Sequence, residues 1–245
     1  MKELIIRNLK KIVPTVVMFL VSLVVLEVFM AIGIISGRAS LVSTVIEMFV
    51  VVMLLMAVLL IGTAGKAFLE GLKQKEFYGI WAAKGFNRGT LLGGLTGIYT
   101  VAFLIPFLCY VVMLVLDIFW ISNAFPNERE GLEGIRLLLF PDKQTLPMVL
   151  ASAVEYILIA ASFIALVFLC SAWAYNIFTR GRYSGLMTAL IVISVGVFMI
   201  KLNLMFTSSL DGYTEHLASA GIQAGFTALF LVLTHQSVAK HNWNT

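Results

Sequence analysis

Four acidic side chains lie inside long apolar runs of the sequence, where a carboxylate is costly. They are Glu27, Glu47, Asp117 and Glu155. An acidic residue at bilayer depth costs about 2.5–3.5 kcal/mol on insertion scales, so its presence there indicates a functional role. At about 1.5 Å per helical residue, Glu27 and Glu155 should lie about 10–12 Å inside the outer boundary, and Glu47 and Asp117 about 5–8 Å inside it. We therefore expect some of them to line an outward-facing cavity or lateral opening that attracts a cationic, amphipathic substrate.

Simpler roles remain open for these carboxylates and for the histidines. The carboxylates could reach water along their flexible stems, or pair with Lys201, Arg38 or buried hydroxyl groups. His216, His235 and His241 lack the i, i+4 spacing that places two imidazoles on one helical metal-binding face. The sequence therefore predicts no metal site, and it predicts capping or interfacial roles for the histidines.

The elements that must position these side chains are membrane-spanning helices. The chain has 245 residues, of which 60% are hydrophobic and only 12% charged, whereas a soluble domain has about twice that charged fraction. This composition excludes a water-soluble globule, and the apolar runs predict an all-α polytopic fold with six spans. The expected spans are Ile12–Ile35, Val42–Ala64, Leu91–Trp120, Pro147–Tyr175, Gly185–Phe206 and Ala218–Ala239. We expect a single transmembrane domain over residues 1–245, with an outer loop at 121–146.

The distribution of basic residues predicts the orientation of the spans. Twelve of the 17 lysines and arginines lie at the two termini and in the second and fourth loops. Basic residues favour the cytoplasmic side, so both termini should be cytoplasmic in a multi-pass protein of a bacterial plasma membrane. Apolar residues of the outer loop predict a short helix at the outer leaflet, which is either a gate or substrate-contacting cap or a simple interfacial anchor. They are Leu132, Ile135, Leu137, Leu138, Leu139 and Phe140.

The cytoplasmic loop at 65–90, between the second and third spans, is the most informative stretch. One broad face of a helical wheel is apolar, and two lysines and a glutamate interrupt it. The apolar residues are Leu69, Leu72, Phe77, Ile80 and Trp81, and the interrupting residues are Lys73, Glu76 and Lys84. This pattern predicts a short helix at the membrane surface. Such a helix either docks on a partner or lies at the interface without one.

The same loop carries a resemblance to a known family. The segment Lys75-Glu76-Phe77 through Ala83–Arg88 resembles the loop before the third span in FtsX-like permeases. The layout of six spans with cytoplasmic termini is similar to type-2 permease subunits of ATP-binding-cassette (ABC) exporters, whose coupling helix also lies between the second and third spans. The chain differs from the latter in placing its larger outer loop between the third and fourth spans.

The resemblance implies that the loop docks on a cytoplasmic ABC ATPase subunit, which binds ATP and Mg. The residues implied to contact this subunit are Lys75, Glu76, Phe77, Trp81, Lys84, Gly85, Phe86 and Arg88. It also implies a second permease subunit, identical or similar, and export of a peptide, a lipid-like molecule or an amphiphilic antibiotic. The chain itself should need no cofactor and should contact lipid but no nucleic acid.

Catalytic motifs are absent from the sequence. It contains no G-x-x-x-x-G-K-[ST] phosphate loop, no G-x-S-x-G elbow and no H-E-x-x-H pair. We therefore expect no enzymatic activity in this chain, and an intramembrane enzyme is a further alternative. The alternative function is a non-transporting immunity or sensory protein that binds a cationic ligand at the outer face.

Overall fold

The computed structural model describes residues 2–73, 88–125, 146–177 and 184–240, and these residues are helical almost throughout. The helices, numbered here in chain order, are α1 Lys2–Ile35, α2 Ala39–Lys73, α3 Arg88–Ala124, α4 Leu146–Ile177, α5 Ser184–Thr207 and α6 Gly212–Lys240. No strand occurs in the described part of the chain. An α-helix satisfies its backbone hydrogen bonds internally, which is the requirement that a hydrocarbon environment imposes on an apolar run.

All six helices are long and apolar enough to cross a membrane, which confirms the predicted polytopic all-α fold. The crossing segments are Asn8–Ile35, Ala39–Leu72, Thr90–Ala124, Leu146–Ile177, Leu186–Thr207 and Gly212–Val238. Three helix ends differ notably from the predicted spans. Helix α1 begins ten residues before Ile12, α2 continues nine residues beyond Ala64, and α6 begins six residues before Ala218. If all six of these helices cross, the start of α1 and the end of α6 lie on the same side of the membrane, and the choice of side stays a prediction.

The turn between α1 and α2 is held by backbone hydrogen bonds. The Arg38 N–H donates to the Gly33 carbonyl (2.9 Å) and the Gly37 N–H to the Ile34 carbonyl (3.1 Å). Gly37 has a φ of 66°, a conformation that a residue without Cβ adopts without strain. This arrangement is a Schellman motif, and it reverses the chain over three residues, Ser36–Arg38.

The chain divides into two compact units. Unit 1 contains Met1–Lys11, Ile61–Val101 and Ala151–Thr245, and unit 2 contains Ile12–Leu60 and Ala102–Leu150. The predicted extent of one domain over the whole chain stays a prediction.

Helix α4 supplies most of the core of unit 1. Its buried residues Leu166, Leu169 and Cys170 pack with Met199 of α5 and Phe230 of α6. At the same level of α4, aromatic rings join three helices. The Phe168 ring stacks on Phe68 of α2, with a centroid distance of 4.6 Å, and meets the edge of Tyr99 of α3 at 6.0 Å.

Unit 2 is built from the remaining parts of α1, α2 and α3, together with the first turn of α4. Leu23 and Met30 of α1 are fully buried, as is Phe49 of α2. The Phe49 ring lies 5.8 Å from the Tyr110 ring of α3. These contacts fix the faces of the three helices, and the faces in turn decide where the acidic residues of the unit point.

Candidate functional site

Two of the predicted acidic residues meet inside unit 2. The side chains of Glu27 of α1 and Asp117 of α3 lie close enough to interact electrostatically. Asp117 is only 4% exposed, and one Glu27 oxygen, Oε1, is inaccessible and has no hydrogen-bond partner. The sequence placed both residues in the outer half of their spans, and the structure adds that they form a pair.

The acidic pair, defined as Glu27 and Asp117, has no basic partner among the described residues of its unit. Arg38 is the only Lys, Arg or His among the described residues of unit 2, and it forms no ion pair with either carboxyl group. Two ionised carboxyl groups so close together repel each other, and a bound proton or cation relieves that repulsion.

Glu47 does not join the acidic pair. It is exposed on α2, and no contact links it to Glu27 or Asp117. An exposed carboxylate in a span is consistent with the simpler prediction that it reaches toward water. The structure therefore separates Glu47 from the other acidic residues as a site candidate.

The fourth predicted acidic residue, Glu155, is the centre of a polar network in unit 1. Its Oε2 lies 2.6 Å from Nδ1 of His216, and its Oε1 accepts a hydrogen bond from the Ser219 hydroxyl. The Asn203 amide of α5 donates to the Ser219 hydroxyl oxygen at 2.9 Å. One carboxylate thus ties α4 to α6 and, through Ser219, to α5.

His216 is a candidate site residue whose partner the sequence did not reveal. A capping or interfacial role was predicted, but the imidazole pairs with Glu155, and both side chains are largely buried. The sequence could not indicate this pair, because 61 residues separate Glu155 from His216 in the chain. The prediction of hydrogen bonding to a buried hydroxyl group is confirmed for Glu155 by Ser219.

Among the described residues, no three His, Cys, Asp or Glu side chains are grouped as metal ligands.

Two more hydrogen bonds join α4 to α6. The Ser162 hydroxyl hydrogen-bonds to Oε1 of Gln223 (2.7 Å), and the Trp173 indole N–H donates to the Ser237 hydroxyl (2.8 Å). In each of these four contacts between α4 and α6, the two residues are 61 or 64 positions apart in the chain. A constant separation means that α4 and α6 run parallel, as two helices that cross the membrane in the same direction do.

The coupling loop itself lies largely outside the described residues. Residues Lys75 to Phe86 of the predicted contact set fall in the gap between residues 73 and 88, and Arg88 is the first residue of α3. The loop was predicted to begin at Gly65, but Gly65–Lys73 belong to α2. The helix continues there because Ala67, Phe68 and Leu72 are buried against the unit.

The helix ends on either side of that gap are held by contacts within unit 1. The Lys11 ammonium of α1 lies 2.9 Å from Oε2 of Glu70, one turn before the end of α2. Eleven residues after the start of α3, the Tyr99 hydroxyl donates to Oδ1 of Asn8 (2.9 Å), a buried bond. Both helices that flank the gap are therefore tied to α1, and both also contact Phe168 of α4.

Comparison with known proteins finds no relative of this chain. No protein family, no curated protein and no solved structure matches the chain. What the sequence and structure together establish is a multi-pass membrane protein with six apolar helices.

Proposed function

We propose that this chain is the permease subunit of an ABC-type exporter. A separate cytoplasmic ATPase subunit hydrolyses ATP, and the loop between α2 and α3 receives the resulting movement. A second permease subunit, identical or similar, completes the transport path. The cargo is a peptide, a lipid-like molecule or an amphiphilic antibiotic that carries positive charge.

The observation that carries this proposal is the way in which the loop is attached. Both of its flanking helix ends belong to unit 1, together with most of α4 and all of α5 and α6. Aromatic contacts of Phe168 with Phe68 and Tyr99 join α2 and α3 to α4. A force applied to the loop therefore acts on a packed group of helices and not on a single flexible segment.

The charge and side chains of the loop suit a soluble acidic or amphipathic partner surface. Phe77 and Trp81 offer aromatic anchors, and Lys75, Lys84 and Arg88 flank them with positive charge. Buried aromatic side chains typically supply a large share of the binding energy at a protein interface. The chain lacks a phosphate-binding loop of its own, so the proposal requires the partner to supply ATP hydrolysis.

Substitution of the loop tryptophan tests the proposal. The tagged chain is purified from the membranes of its own host in mild detergent, and ATP hydrolysis by the recovered complex is measured. Loss of an aromatic anchor typically costs about 2 kcal/mol or more, so Trp81→Ala should weaken retention of the ATPase subunit at least tenfold.

Trp120→Ala is the matched control, because Trp120 lies at the far end of α3 and is 55% exposed. This variant should retain the ATPase subunit at the wild-type level. The proposal is refuted if no ATP-hydrolysing subunit accompanies the wild-type chain, or if the two tryptophan variants retain it equally well.

A further inference from the structure

Two exposed lysines of unit 1 have no acidic partner among the described residues. Lys10 of α1 and Lys66 of α2 are exposed, and neither forms an ion pair with another described side chain. The neighbouring Lys11 differs from them, because its ammonium group lies 2.9 Å from Oε2 of Glu70. Lys11 therefore takes the acidic charge at this place, and the other two ammonium groups are left without a described counter-charge.

These two lysines flank the ion pair between Lys11 and Glu70. Lys10 directly precedes Lys11 in α1, and Lys66 precedes Glu70 by four residues in α2. Residues four apart in a helix lie on the same face, about 6 Å apart along the axis. Because the ion pair holds α1 beside α2 at this level, both lysines lie within about one helical turn of it. Lys10 and Lys66 are called the lysine pair below.

The position of the lysine pair along the two helices indicates which anion can reach it. Lys10 is the third residue of the crossing segment Asn8–Ile35, and Lys66 lies six residues before the end of the segment Ala39–Leu72. A lysine at the end of a crossing segment extends its side chain so that the ammonium group reaches the headgroup layer. Lipid phosphates are the anions of that layer, and in an anionic lipid no amine of the headgroup offsets their charge.

We propose that the lysine pair binds the phosphate headgroup of one anionic phospholipid. Each ammonium group supplies a point charge and hydrogen-bond donors, which are the means by which lysine binds phosphate. A basic side chain near an anionic membrane surface strengthens the attraction about fivefold. The bound lipid contacts α1 and α2 together, beside the ion pair that ties the end of α2 to α1. This binding does not depend on an ATPase subunit.

Native mass spectrometry of the full-length chain in mild detergent tests the proposal, because it counts bound lipid molecules one at a time. Phosphatidylglycerol is the anionic probe, and phosphatidylcholine with the same acyl chains is the zwitterionic comparison. Two fivefold contributions predict that the first phosphatidylglycerol binds about 25-fold more tightly than phosphatidylcholine. Lys10→Gln and Lys66→Gln should each weaken phosphatidylglycerol binding about fivefold. Neither variant should change phosphatidylcholine binding, which serves as the check on folding.

Two further variants control for the position and the sign of the charge. Lys201→Gln removes an exposed lysine of α5, outside the lysine pair, and should leave phosphatidylglycerol binding unchanged. Glu70→Gln frees Lys11 from its ion pair, so a third ammonium group becomes available and binding should strengthen about fivefold. A substitution that only disturbed the packing of the helices would not strengthen binding.

Glycerol 3-phosphate distinguishes a lipid headgroup from a free phosphate. It carries a phosphate without acyl chains, and it should not displace the bound phosphatidylglycerol. The inference is overturned if this compound displaces the lipid, if the two lipids bind equally well, or if Lys10→Gln and Lys66→Gln bind phosphatidylglycerol as tightly as Lys201→Gln does. Because no ATPase takes part, these outcomes are independent of the Trp81 experiment.

Discussion

Gly65 marks a close approach between α2 and α4, and its substitution tests the packing that holds the coupling loop. A Cβ built on Gly65 would lie 2.8 Å from Cγ1 of Val167. Carbon atoms in contact are ordinarily about 3.5–4.0 Å apart, so Gly65→Ala creates an overlap of about 1 Å. Valine has one strongly preferred side-chain rotamer in a helix, so Val167 cannot turn aside cheaply.

A second glycine, Gly62, provides the reference for the destabilisation that Gly65→Ala causes. Gly62 lies on the same helix, and a Cβ there would meet nothing within 4 Å. Alanine in place of a helical glycine gains about 0.8–1.0 kcal/mol of helix propensity at both positions, so this gain cancels in the comparison. Overpacking of a well-packed core costs about 1–3 kcal/mol, and we expect this difference between the two variants.

Thermal unfolding of the purified chain in mild detergent measures the difference. For a protein of this size, 1 kcal/mol corresponds to about 2–4 °C, so Gly65→Ala should melt about 2–12 °C below Gly62→Ala. Val167→Ala removes the overlapping methyl groups, so the double variant Gly65→Ala/Val167→Ala should be more stable than additivity predicts, by about 1 kcal/mol. Equal melting temperatures for the two glycine variants would refute the proposed close packing.

Two further predictions concern hydrogen bonds of unit 1. Glu155→Gln should lower the free energy of unfolding by about 1–3 kcal/mol, because His216 and Ser219 lose the carboxylate that they contact. Thermal unfolding measures this change, and an unchanged midpoint would contradict the network. Tyr99→Phe keeps the aromatic ring but removes the hydroxyl group that donates to Asn8, so it should cost about 0.5–1.5 kcal/mol in the same assay. A cost near that of Tyr99→Ala would show instead that ring packing is also lost in the phenylalanine variant.

The sequence was sufficient to predict the number of spans and their approximate positions. Each apolar run is long enough to cross hydrocarbon, and in that environment a helix is the form that satisfies the backbone within one segment. The ends were predicted less well, because they depend on contacts. Phe68 and Leu72 extend α2 since they are buried in unit 1, and Glu215 and His216 fall within α6 although their polarity suggested a loop.

The sequence also identified four costly carboxylates, but it could not show which residues they meet. Hydropathy records how apolar a segment is, whereas a pair such as Glu27 and Asp117 depends on how each helix is rotated and which helix lies beside it. Tertiary packing alone joined those two, left Glu47 exposed and placed His216 against Glu155. Lipid solvation thus determines that a segment becomes a helix, and side-chain packing between helices determines which polar groups share a site.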